Sequence, residues 1–350
     1  MIDLIRLTRP LNLLIMALTM AAMRYGVVGA WLDHTSAAIQ STSIDPTGTT
    51  IAEIPGNRLM HAFTGVHFWL LVLSTLLIAA GGNVINDYFD TRIDRVNKPA
   101  QVIVGRTVKR RVAMAGHLVL SGLGLAIGAF VAWRSGQFRL VVIPAFAVIA
   151  LWSYSTRLKR AFLIGNGTGA GLAALVPITV GLYEVTALAR TYPRDNWLST
   201  VNGELLKVVI DFNEPWYWIL GYGLFAFLAT LVREIQKDLA DVEGDRAEGC
   251  RTLPIVLGMR WGKAVALTYM GLLLVCVLYA RMALLHDRLS YWYIGIAVIT
   301  PLLLSAGFTY NASTRREHGI ASHLLKAAMV IAILYAFLLR HTIWDPARLL

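Results

Sequence analysis

Nine stretches of roughly twenty mostly apolar residues, each long enough to cross a ~30 Å hydrocarbon core as a helix, recur along this chain of 350 residues. They fall at about residues 10 to 32, 63 to 86, 112 to 133, 138 to 154, 162 to 186, 216 to 233, 261 to 281, 290 to 311 and 321 to 341. Backbone in lipid has no water to satisfy its N–H and C=O groups, so stretches of this length are helical. The expected fold is an all-α integral membrane protein, a bundle of about nine transmembrane helices in a single domain over residues 1–350. Composition agrees, with 57% hydrophobic and 15% charged residues against about a quarter charged in soluble domains. The first stretch is longer than a signal-peptide core and lacks a cleavage site, which predicts an uncleaved span.

Basic residues orient the bundle. Arg6 and Arg9, the run from Arg92 to Arg111, Arg157 to Arg160, Arg233 to Lys263, and Arg315 with Arg316 fall at one set of helix ends. Cytoplasmic loops carry the Lys and Arg excess, so these ends, with roughly twenty of the 32 basic residues against about eleven opposite, mark the cytoplasmic face. A multi-pass protein of the cell (inner) membrane is expected, its N-terminus inside. The net charge of +11 borders hydrocarbon, so its anionic partners are lipid headgroups or a phosphorylated substrate, not nucleic acid. Cys250 and Cys276 lack CxxC spacing and imply no disulfide framework.

Two polar inserts, at about 33 to 61 and 187 to 215, interrupt the series on the opposite face. Their Ser, Thr, Asn, Gly and Pro content predicts connecting loops, with room for a short interfacial helix or hairpin. More informative is an internal echo. Asp87, Asp90 and Asp94 in "NDYFDTRID" stand at offsets 0, 3 and 7, as do Asp238, Asp241 and Asp245 in "KDLADVEGD". On helices those offsets share a face, giving two acidic stripes at the cytoplasmic ends of the second and sixth spans. A basic segment follows each, "GRTVKRR" and "CRTLPIVLGMR", so the chain reads as two related halves. Such pseudo-repeats commonly share a site at their junction.

Same-face carboxylates repel, and topology favours positive charge where these lie. A divalent cation offsets the repulsion. Asn83 and Asn86 add carbonyls to the aspartates, an all-oxygen set without Cys or His. That set selects a hard ion, and Mg²⁺ is usually held by one or two carboxylates plus substrate phosphates. A diphosphate clamped between the stripes also needs donors, which Lys98, Arg106, Tyr154, Lys159, Arg160, Arg246 and Arg251 supply. Tyr154 and Lys159, five residues apart at a helix end, reach one cavity if the chain there continues or turns. An allylic prenyl diphosphate explains why such chemistry belongs in a membrane. Its tail suits a lipid-open cavity, and the cation left by diphosphate departure survives only in a dry, aromatic-lined space.

At these residues the sequence resembles the UbiA superfamily of intramembrane prenyltransferases. "NDYFDTRID" matches the family's first Asp-rich motif, NDxxDxxxD, at Asn86, Asp87, Asp90 and Asp94, and "KDLADVEGD" matches the second, DxxDxxxD, at Asp238, Asp241 and Asp245. "YSTRLKR" is similar to the family's Tyr and Lys loop, and "RLTRPLN" to the start of its first helix, where Arg9 and Asn12 correspond. The likeness spans about residues 4 to 340, apart from the inserts. It implies a nine-helix bundle and a prenyltransferase whose aspartates bind a prenyl diphosphate, geranylgeranyl diphosphate being favoured, through Mg²⁺. Asn83 would assist, Lys98, Arg106, Tyr154 and Lys159 would steady the diphosphate, and an Asn is placed at Asn166. "YSTRLKRAFLIGN" and "REIQKDLADVEGDRAEGCRTLPIVLG" look closest to the branch that alkylates the free hydroxyl of geranylgeranylglyceryl phosphate, an ether-lipid precursor. Members acting on aromatic acceptors such as 4-hydroxybenzoate typically read Tyr-Pro where this chain has Tyr154 and Ser155. Two departures bear on acceptor and headgroup contacts: "AQVIVGR" after Pro99 replaces a common Arg-Pro pair, and the inserts are longer than usual.

Prenyl transfer to an ether-lipid acceptor is thus the leading expectation, and prenylation of an aromatic quinone precursor the second. A cation-coupled transporter is the alternative from another class, disfavoured because its acids belong near mid-bilayer at broken helices. His67 and His117 lack ligand-spaced partners and are expected to be packed or hydrogen-bonded. Gly165, Gly167, Gly169 and Gly171 follow no strand, so close helix packing is expected of them, not a phosphate loop.

Overall fold

The computed structural model describes residues 2–42, 59–192, 197–201, 204–208 and 210–344. Among them nine helices are long and apolar enough to cross a membrane: α1 (Pro10–Ala37), α2 (Gly65–Asn97), α3 (Arg110–Arg134), α4 (Phe138–Thr156), α5 (Ile164–Thr191), α6 (Asn213–Ala240), α7 (Met259–Ala283), α8 (Arg288–Asn311) and α9 (Arg315–Thr342). Every expected span is present. Several run beyond the apolar block, because a helix continues into polar sequence wherever its backbone bonds are not interrupted. α2 reaches Asn97 and carries the whole first motif on continuous helix.

The second motif is different. α6 ends at Ala240, Asp241 follows it outside helical geometry (φ −108°, ψ 13°), and a short helix, Val242–Ala247, carries Asp245. The second acidic stripe is therefore bent, not one uninterrupted helix face.

Lipid is as apolar as leucine, so burial of side chains alone does not hold these helices together; packing and interhelical hydrogen bonds do. Leu118, Phe146, Ile149, Val275 and Met282 remain exposed. Inside, Ser74 Oγ donates to Gly124 O at 2.6 Å, joining α2 to α3. Gln236 Nε2 on α6 donates to the hydroxyls of Ser305 and Thr309 on α8 at 3.1 and 2.9 Å, and Ser305 Oγ donates to Ala321 O on α9 at 2.7 Å. His117 is buried with Nδ1 3.0 Å from Gly81 O, a hydrogen-bonded core residue as expected.

The largest apolar cluster lies at the end away from the aspartates, where Trp31, Phe68, Tyr183, Leu188, Ile219 and Trp344 are fully buried. There the bases of the two inserts meet: Met60 N donates to the Tyr192 hydroxyl at 3.1 Å, and the Trp31 ring stands 5.7 Å from Phe212. The first insert begins as a helical continuation, Gly29–Thr42, and its residues 43–58 lie outside the described ones. In the second, β1 (Trp197–Val201) and β2 (Glu204–Val208) form an antiparallel hairpin with Trp197 opposite Val208. Both cysteines are free.

Candidate active site

At one end of the bundle a cavity of about 550 Å³ is bounded by α1, α2, α4, α5 and α6. All six motif aspartates line it, together with Asn12, Asn83, Asn86, Lys98, Tyr154, Lys159 and Asn166. Four expected cations, Arg106, Arg160, Arg246 and Arg251, are not brought there. Arg106 is exposed and donates only to Pro99 O, at 3.5 Å. Arg246 is exposed, since one position beyond Asp245 is about 100° around a helix. Arg160 ends the turn that aims Lys159 inward, and its carbonyl accepts Arg251 N at 2.8 Å; neither guanidinium lines the cavity.

Basic and amide groups already sit on the carboxylates. Arg9 Nη2 donates to Asp87 Oδ1 at 2.6 Å. Lys159 pairs with Asp90, which also accepts Asn86 Nδ2 at 2.8 Å. Asp238 accepts Asn166 Nδ2 at 2.8 Å. Asp241 is held from both sides, by Lys98 Nζ at 2.9 Å and by Arg315 Nη2 at 2.7 Å.

Local structure puts each group in place. Arg9 precedes α1 at φ +54°, a left-handed conformation that costs an L-residue roughly 1–2 kcal/mol. The corner is held because Asn83 Nδ2 donates to Thr8 O at 2.9 Å and Arg9 is tied to Asp87. The Asn83 amide, expected beside the metal, is thus committed through its nitrogen to the backbone. α4 ends at Thr156, and a 3₁₀ turn (Leu158–Arg160) folds Lys159 back, so Tyr154 and Lys159 share the cavity by a turn. Gly165 permits that fold: a Cβ there would stand 2.5 Å from Lys159 Cα. Gly167 and Gly171 face open space, so close approach belongs to Gly165, against a loop, and not to the alternating run. Asn97, at the end of α2, clamps the second motif, its Nδ2 donating to Asp241 O at 3.1 Å and its Oδ1 accepting Gly244 N at 3.0 Å.

Lys159 and Asp245, which flank the spans, depart from ordinary titration. Burial, reinforced by the neighbouring Arg160 charge, lowers the Lys159 ammonium to about 8, against the pull of Cys250, Asp245 and Asp87. Burial also lifts the Asp245 carboxyl to about 6, the Asp241 charge adding to it.

Residues that neither motif nor spacing had pointed to also line the cavity: Thr230, Arg233, Glu234, Lys237 and Cys250. Glu234 accepts Lys237 Nζ at 2.5 Å on Oε1 and the Tyr154 hydroxyl at 3.3 Å on Oε2. A helical offset of four was the available signal for Glu234, before Asp238, and for Lys237, before Asp241. Arg315, arriving from α9, had none. Cys250 corrects the expectation of a site without cysteine, but burial raises its thiol, which leaves the oxygens as ligands for a hard cation. Among the described residues no three His, Cys, Asp or Glu side chains yet converge on one point.

Asn12, Asn83, Leu151 and Leu172 also border a second cavity of about 300 Å³, deeper in the bundle and apolar, with Ile15, Met16, Leu71, Ile78, Phe225 and Ile333 in its wall.

The sequence profile of the UbiA prenyltransferase family matches residues 58–324. Digeranylgeranylglyceryl phosphate synthase of Methanothermobacter thermautotrophicus is 31% identical over 281 residues, 79% of this chain and 87% of the relative. In fold the chain is similar to a UbiA homologue from Aeropyrum pernix K1, with TM-score 0.55 and 13% identity over 89% of this chain and 98% of that one. It is also similar to a UbiA homologue from Archaeoglobus fulgidus bound to DMAPP and Mg²⁺, with TM-score 0.52 and 17% identity over 95% and 99%.

Proposed function

This chain belongs to the UbiA prenyltransferase family, and on that premise we propose that it moves a geranylgeranyl group from its diphosphate to the free hydroxyl of geranylgeranylglyceryl phosphate, using Mg²⁺, at a site facing the cytoplasm. The observation that carries this is a polar cavity with six aspartates opening beside an apolar one, the shape of a diphosphate with a hydrocarbon tail. The 31% identity to a digeranylgeranylglyceryl phosphate synthase supports the acceptor. The homologue bound to DMAPP and Mg²⁺ supports the metal and the donor class.

Asp87, Asp90, Asp94, Asp238, Asp241 and Asp245, with Asn86, would hold Mg²⁺, which supplies electrostatic stabilisation for the departing diphosphate. Lys98, Lys159 and Asn166 donate to phosphate oxygens, and Tyr154 and Asn12 border the reacting end of the donor. The apolar cavity takes the tail and keeps water from the allylic carbon. As the bond from that carbon to diphosphate breaks and a bond to the acceptor oxygen forms, the hydroxyl proton needs a base. Glu234, the cavity carboxylate outside both motifs, takes it at Oε2.

The test is label transfer by purified protein with Mg²⁺ and radiolabelled geranylgeranyl diphosphate, offered geranylgeranylglyceryl phosphate or 4-hydroxybenzoate in separate reactions. Label in the glycerol lipid is expected. Label in the aromatic acid selects the quinone-precursor reaction instead, and absence of both product and Mg²⁺-dependent donor binding overturns the catalytic assignment.

A further inference from the structure

The charges divide unevenly among the cations that line the large cavity, Arg9, Lys98, Lys159, Arg233 and Lys237, and the two that reach its lining residues from α9, Arg315 and Lys326. Arg9, Lys98, Lys159 and Arg315 are each bonded to a motif aspartate. Arg233, Lys237 and Lys326 are not. Lys326 Nζ donates to a neutral partner, Asn12 Oδ1, at 2.7 Å. Arg233 Nε is buried with no hydrogen-bond partner. Lys237 pairs with Glu234. Arg233 and Lys237 stand one turn apart on α6 and line the cavity, and Lys326 is bonded to Asn12 of the same cavity, so three positive charges meet two carboxylates on this side, Glu234 and Asp238. Such a group is unfavourable in a low-dielectric setting unless an anion completes it.

Their placement has a direction. Thr230, Arg233 and Lys237, at offsets of three and four, form a stripe on α6 beside the acidic one through Glu234, Asp238 and Asp241. Lys326 comes from α9 and Asn12 from α1, so these cations come from α6 and α9, whereas the first acidic motif comes from α2. From each of α1, α6 and α9 an apolar run continues into the deeper cavity: Ile15 and Met16 after Asn12, Phe225 and Ala226 before Thr230, Met329 and Ile333 after Lys326. An amphiphile with an anionic head fits that sequence of surfaces.

We infer that Arg233, Lys237 and Lys326 bind the phosphate of the acceptor lipid, a second anion site beside the diphosphate site at the aspartates. The inference rests on the acceptor assignment above. It predicts a site that needs no divalent metal, because its charge is supplied by the chain.

The experiment measures binding of geranylgeranylglyceryl phosphate and of its alcohol, geranylgeranylglycerol, to the full chain in EDTA without donor. The phosphorylated lipid is expected to bind about tenfold or more tightly than the alcohol, as charge-assisted hydrogen bonds to phosphate require. In Arg233→Met and Lys326→Met that advantage collapses and Lys326→Arg keeps most of it. Mg²⁺-dependent binding of geranylgeranyl diphosphate is expected to fall by a much smaller factor than acceptor binding. Equal binding of phosphate and alcohol by the unaltered chain overturns the site without any variant. So does an equal loss of acceptor and diphosphate binding in the Met variants. Metal-independent, Arg233-dependent lipid binding without prenyl transfer removes the enzymatic assignment and leaves the anion site standing, whereas turnover without such binding removes the anion site alone.

Discussion

Arg24 and Glu184 pair at one end of the bundle with side chains 4% and 0% exposed, while at the other end Lys98 and Asp241 pair with side chains 38% and 19% exposed. The first pair is sealed. Arg24 Nη2 also donates to Phe63 O at 2.7 Å, its guanidinium lies 4.7 Å from the Phe68 ring centre, and His61 Nδ1 stands 3.2 Å from Glu184 Oε2. Each charge there has an opposite charge, and the guanidinium packs against aromatic rings. The second pair belongs to a larger set of acids and bases around an open cavity, where partners can be exchanged. Burial with matched charge makes a strut; partial burial with surplus charge makes a binding site.

Asp87→Ala and Asp241→Ala are the sharpest ways to break that contrast. Each is expected to lower turnover about 10³-fold or more, since charge stabilisation is lost where it is needed in the transition state. Melting of the metal-free protein should move little; label transfer and thermal unfolding read the two separately, and wild-type turnover in either variant would end the contrast. Glu184→Ala should do the reverse. An uncompensated buried Arg24 is expected to cost about 3–5 kcal/mol of stability, with donor binding by the folded fraction unchanged. Loss of turnover at unchanged melting temperature would make that end functional after all.

Gly244→Ala is expected to act between these extremes. Its Cβ would overlap the Asn97 carboxamide that clamps the second motif to α2, and displacement on this scale should reduce turnover about tenfold in a folded protein. The smallest effect is in pH. Asp245 is raised to about 6, and Mg²⁺ would be held by its carboxylate form, so affinity is expected to weaken below that pH by at most about tenfold per unit. In the metal-free protein the sign is opposite: a carboxyl raised on folding adds stability at low pH that is lost as pH rises through about 6. Metal titrations and melting curves between pH 5 and 8 check both.

The nine spans and the two acidic stripes were legible because membrane helices and helical offsets leave local periodic marks. Tyr154 and Lys159 were legible as donors at a helix end and Asn166 through the resemblance, and all three line the cavity. Helix continuity was not: hydropathy stops at polar residues, whereas α2 runs through them to Asn97 and α6 breaks at Asp241. Arg106 and Arg246 had the right charge near the right motif, but charge and proximity in sequence do not fix direction. Arg315 and Lys326, which reach Asp241 and Asn12 across the fold, had no local signal. Tertiary pairing of polar residues is a property of the assembled bundle.

The lysines and arginines seated on the motif carboxylates make loading of this site an ion exchange. Mg²⁺ held there would take the place of ammonium and guanidinium groups, and those groups would be set free beside the incoming phosphate oxygens. Either ligand alone would leave one set of charges without counter-ions, so metal and diphosphate are expected to bind more tightly together than singly. The cavity's net charge changes little in the process, and its affinity should therefore vary less steeply with ionic strength than that of a bare acidic cleft.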